Sequence, residues 1–207
     1  MKKLLVGVFC AILGTSAQAA TLDFLGDANN EERGVASGTT YSNAFTGGLT
    51  LTLTSNFNPY FDGANAGLGV CKELDEGDQC DPASDDNVTA GDSVTVDLNG
   101  TYNLSNFVFT GEGHSIGAGI QPLVTDETLR FSINGEALSQ TTFAILSGAS
   151  FINVQSFTLA FDDDQNTAEQ FYLASVVATP IPVPAALPLL IAGLGSMAWV
   201  GRRRKTA

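Results

Sequence analysis

The chain has 207 residues, 15% of them charged, and a formal net charge of −13. That length is one domain as a prior, and such acidity argues against a surface for nucleic acid or anionic lipid. Three cysteines and a single histidine, His114, leave too few soft ligands for a Cys/His zinc site.

The first 19 residues have the three parts of a secretory signal. Lys2 and Lys3 are the positive region, Leu4 to Leu13 is apolar, and Ala17-Gln18-Ala19 is a small-x-small cleavage site for signal peptidase. The apolar run is too short to span a bilayer stably, and Phe9 before Cys10 does not fit a lipoprotein signal. The expected mature chain starts at residue 20. From there to residue 179 lie Arg33, Lys72 and Arg130 and all 22 acidic residues, so this body carries 3 − 22 = −19. Surface acid of this kind keeps an exported protein soluble, and it also attracts divalent cations.

Short alternating runs dominate the body. Leu49, Leu51 and Leu53 alternate with threonines; Val94, Val96 and Leu98 follow the same pattern, as do Leu129, Phe131 and Ile133, and Phe157, Leu159 and Phe161. Period two places one face on a core and the other in water, as in antiparallel sheets. Leu104 to Thr110 and Phe171 to Val177 are more continuously apolar and read as central strands. Turn signals stand between the runs at Gly47-Gly48, Asp62-Gly63, Asn99-Gly100 and Asn134-Gly135. The last predicts a hairpin into a Thr142 to Leu146 strand, and 166–170 is a second candidate hairpin closure. Glu31 to Thr40 and Asp75 to Ala90 read as long loops, and no long helical period precedes Ala185. The expected fold is all-β, an antiparallel two-sheet β-sandwich of jelly-roll or Greek-key type over residues 20–179.

With Cys10 in the signal, Cys71 and Cys80 remain, and two cysteines in an exported domain read as one disulfide. Asp75, Glu76, Asp78, Asp81, Asp85 and Asp86 crowd the same loop, and Asp162-Asp163-Asp164 forms a second run. Two readings stand: solvated acidic loops, or a structural calcium site on Asp75, Asp78, Asp81, Asp85 and Asp86. Calcium takes six to eight oxygen ligands, but neither run has EF-hand spacing. Tyr60, Phe61, Asp62 and Asn58 have the composition of a sugar-stacking platform, and equally of a strand end. Gly113-His114-Ser115-Ile116-Gly117 fits the nucleophile elbow of hydrolases. That mechanism needs a second histidine later in the chain, and His114 is the only one, so no catalytic residue is assigned.

The C-terminal 180–207 is the most informative segment. Pro180, Pro182, Pro184 and Pro188 favour an extended chain. Ala185 to Gly201 contains no charge and is at the lower limit for a transmembrane helix. Arg202, Arg203, Arg204 and Lys205 then form a basic stop that would stay on the cytoplasmic side. Ile181-Pro182-Val183-Pro184-Ala185, the apolar run and the arginines together resemble the PEP-CTERM sorting signal in its VPLPA variant, with Ile181 and Val183 as conservative departures. The resemblance implies a Gram-negative surface protein, held transiently or permanently in the inner membrane, processed by an exosortase and associated with exopolysaccharide at the cell surface or in the extracellular matrix. The body is similar, more loosely, to domains often attached to that signal. The similarity rests on Asp62, Gly67-Leu68-Gly69-Val70-Cys71, Gly91-Asp92 and the Gln170 to Val176 run; it implies a β-sandwich and transfers no catalytic residue. The alternative expectation is a membrane-anchored glycan- or calcium-binding module.

Overall fold

The computed structural model describes residues 18–42, 44–111 and 125–181, and beyond them Leu194 alone. The signal peptide to residue 17, the Gly113–Gly117 motif, the sorting motif from Pro182, the expected transmembrane helix and the basic stop lie outside the described residues. Among the described residues, no helix is long and apolar enough to cross a membrane.

The alternating runs become strands. In chain order these are β1 (Ala20–Asp23), α1 (Phe24–Asn30), β2 (Arg33–Gly34), β3 (Thr39–Tyr41), a 3-10 turn at Ala44–Thr46, β4 (Leu51–Ser55), β5 (Asn58–Asp62), β6 (Gly67–Cys71), β7 (Ser93–Gly111), β8 (Thr128–Ile133), β9 (Ser139–Thr142), α2 (Phe143–Gly148), β10 (Ser150–Phe161) and β11 (Phe171–Pro180). All pair antiparallel in one large sheet of order β2-β5-β6-β11-β7-β10-β8-β9, with β1 added to β11, and β4 to β7 followed by β3. Alternation decides the faces as period two requires. Leu51 and Leu53 are fully buried, while Thr52 turns outward and bonds Thr40 across the β3–β4 pair at 2.9 Å.

The 19-residue β7 is the spine. Its first part, Val94 to Asp97, lies between β4 and β10; its second, Tyr102 to Gly111, lies against β11, with β10 on the other side only as far as Ser105. Between them the register against β10 jumps. Val154 faces Tyr102 but Ser156 faces Asp97, so residues 98–101 bow out opposite Gln155 alone. Asn99 supplies the left-handed backbone at φ 49° that this corner needs. Asn99-Gly100 is therefore a corner inside one strand and not a turn between two. A few residues along, Ile152 and Asn153 of β10 oppose the single residue Asn103, with Asn153 at φ 57°; this is a β-bulge.

Two further expectations change. The predicted Thr142 to Leu146 strand is the end of β9 followed by helix α2. Thr142 Oγ1 accepts the Ile145 amide as N-cap, and Phe143 and Leu146, one helical turn apart, are the buried pair. The 166–170 segment closes no hairpin, since β7 lies between β10 and β11. The sheet wraps one core built around phenylalanine. Phe107 makes edge-on contacts with Phe131, Phe151 and Phe157, and Phe109 makes them with Phe143 and Phe171.

Candidate functional site

The body has two ends of different chemistry. At one, β7 begins, β10 finishes and β11 begins. Val88 bridges to Phe171 there, and the Phe161 amide donates to the Asp92 carbonyl. The loop between β6 and β7 and the turn after β10 bring the carboxylates to this end.

The predicted loop residues take separate structural duties. Cys71 and Cys80 are joined, with Cα atoms 5.7 Å apart, and the pair packs with Leu74 over Tyr60. Asp75 Oδ1 accepts the amides of Gly77 and Gln79, closing a local turn. Asp78 stands at φ 60°, and its carbonyl accepts the Gly34 amide. Asp81 precedes Pro82 and is exposed. Asp85 pairs with Lys72 at 2.9 Å, a bond that raises the Lys72 ammonium above its ordinary value. Asp86 Oδ1 accepts the Tyr172 hydroxyl at 2.6 Å, and Asp62 also stands beside that hydroxyl. Burial first, and these carboxylates second, push the phenol far above its usual range. In the second run, Asp162 is held by Arg130 at 3.2 Å and by Gln140 at 2.9 Å, and Arg130 also reaches Asp164. Among the described residues, no group of three or more His, Cys, Asp or Glu gathers to hold a metal ion.

Asp92 stands out within this end. It is 2% exposed; its Oδ2 accepts the Thr89 amide at 3.1 Å, and its Oδ1 is buried with no hydrogen-bond partner among the described residues. Burial pushes its carboxyl up to about 6; the Thr89 amide and Lys72 pull it down, while Asp85 and Asp163 push it further up. Gly91-Asp92 was visible in the sequence as part of the similarity to domains attached to the sorting signal, but the burial of Asp92 was not.

The sugar-stacking platform is not formed. Tyr60 and Phe61 are 1% and 0% exposed, because β5 is covered on both faces. Phe61 packs edge-on against Tyr41 and Phe45, with Arg33 4.7 Å over its ring. On the other face Tyr60 donates to Glu32 at 2.9 Å, and burial together with that acceptor raises its hydroxyl.

The glycines of Gly67-Leu68-Gly69-Val70-Cys71 have a steric reason. Gly67 has φ 130°, and a Cβ there would stand 2.6 Å from the Leu173 carbonyl oxygen. A Cβ at Gly69 would overlap the Asp86 carbonyl oxygen. The acidic loop can cross β6 this closely only over bare backbone.

At the other end the chain enters and leaves. β1 runs against β11 with Ala20 opposite Ala178, and β11 finishes at Pro180 opposite Tyr102. Comparison with family models, with curated proteins and with solved structures gives no match.

Proposed function

We propose that this chain is an exported, non-catalytic protein that is anchored in the inner membrane by its C-terminal segment, processed there by an exosortase and delivered to the cell surface or extracellular matrix, where it associates with exopolysaccharide. The single observation that carries the reading is the order of residues 180–205: spaced prolines, then 17 uncharged residues from Ala185 to Gly201, then four cations. Seventeen residues reach the lower limit for a bilayer span, and the cations stop transfer on the cytoplasmic side. The end of β11 at Pro180 supports it, since the motif then follows directly on the body. The body is read as two sheet halves packed face to face, with the β7 corner and the β10 bulge as the places where strands pass from one half to the other.

The test replaces Pro182 and Pro184 with alanine and follows the protein's mass and location. The expected outcome is accumulation of the longer, membrane-bound form. Unchanged mass and location would remove the sorting claim.

A further inference from the structure

The corner of β7 and both ends of the described body lie at one level of the sheet. Ala20 of β1 is opposite Ala178, and Thr179 and Pro180 of β11 pair with Asn103 and Tyr102 of β7. On the far side of β7 the same two residues meet the bulge of β10: the Asn153 amide donates to Asn103 Oδ1 at 3.2 Å, and Val154 is opposite Tyr102. The bulge turns Ile152 outward, 70% exposed. Bulges re-aim side chains in this way. Pro180 and Ile181 are half-buried, and Tyr102 is half-buried with its side chain packed against the core. Residues 98–104, 149–155 and 176–181, which build this corner, contain no charged side chain; two exposed carboxylates stand at its rim, Asp97, whose Oδ1 accepts the Asn99 amide, and Glu136, in the turn whose Asn134 bonds Asn153 and Gln155. The carboxylates of the 73–92 and 162–164 segments belong to the opposite end, where β7 begins and β11 begins.

We propose that this less acidic corner rests on the lipid surface, with Ile152 entering the interface and the acidic end of the body pointing away from the membrane. The proposal rests on the reading of 185–201 as a bilayer span. Extended chain from Ile181 to Ala185 reaches at most about 14 Å, so a body tethered there is held against the headgroups by the surface around the tether's root. Of the two ends, the acidic one is repelled by anionic lipid. The corner presents Ile152, 70% exposed, with Pro180 and Ile181 half-buried at the tether's root, an apolar edge suited to an apolar–polar boundary.

The test uses the full chain reconstituted in phosphatidylcholine–phosphatidylglycerol vesicles, with an environment-sensitive NBD label on Ile152→Cys or, as the acidic-end control, on Gln165→Cys. Both side chains are exposed, so neither substitution disturbs the core. Expected are an iodide quenching constant about threefold or more lower at residue 152 than at 165, and quenching by brominated lipid at 152 only. Equal iodide quenching at the two sites, in protein that resists alkaline carbonate extraction, would overturn the docked corner and leave the anchor standing. Release of the protein by carbonate would overturn the anchor and the corner together.

Discussion

Asp92 is the residue where folding and charge conflict most. Its carboxyl is buried, one oxygen has no partner among the described residues, and its pKa is raised to about 6. The folded state therefore binds this proton more tightly than the unfolded chain does. The stabilising contribution is complete below about pH 4 and is lost as pH rises through about 6. Asp92→Asn keeps an acceptor for the Thr89 amide and removes the ionisation. It should raise stability at pH 7 by up to about 3 kcal/mol and flatten the pH dependence between about 4 and 6, read from urea unfolding at several pH values. Lower stability of the variant at pH 7 would refute this account of Asp92. Gly69→Ala belongs to the same scale. The new methyl meets the backbone of Asp86 and Asn87 and not a yielding side chain, so a loss of more than about 2 kcal/mol is expected by denaturant unfolding.

Among the elements, the disulfide clip between β6 and the acidic loop has a definite expected worth. A loop this short contributes about 2.5–3 kcal/mol in the chain-entropy view. Replacing both Cys71 and Cys80 with alanine should cost about that much, measured by chemical unfolding, while the β-rich far-UV spectrum persists. The strands themselves were readable because burial on one face leaves a period-two record, as at Leu51 and Leu53 or Val94 and Val96. Elements decided by contacts distant in sequence left no such record. Thr142 to Leu146 alternates well enough for a strand, and the cap at Thr142 with the Phe143–Leu146 contact makes it a helix. Tyr60 and Phe61 look like surface aromatics because the second cover over β5, the disulfide loop, comes from residues 71–80. The insertion of β7 between β10 and β11 is a matter of topology that no local pattern reports. In the acidic loop, clustering in sequence was plain, but the partners that separate its carboxylates, Lys72 and Tyr172 among them, were not.

At the scale of the whole molecule, the charge pattern of the sequence and the layout of the sheet agree. The described body joins its ends through β1 and β11, so both flanking segments attach near one corner where Asp97 and Glu136 are the neighbouring carboxylates, and the denser carboxylates of 73–92 and 162–164 collect at the far end. The membrane-facing orientation follows from that layout once the tail is lodged in lipid. The central claim is that the tail is a processed anchor. It is tested most directly by intact mass and terminal sequencing of the protein recovered from the membrane fraction and from the medium. The account predicts a first residue of Ala20 in both fractions, full-length tail in the membrane form, and loss of the segment beyond Pro182 to Ala185 in the released form. Soluble protein still ending at Ala207 would contradict it.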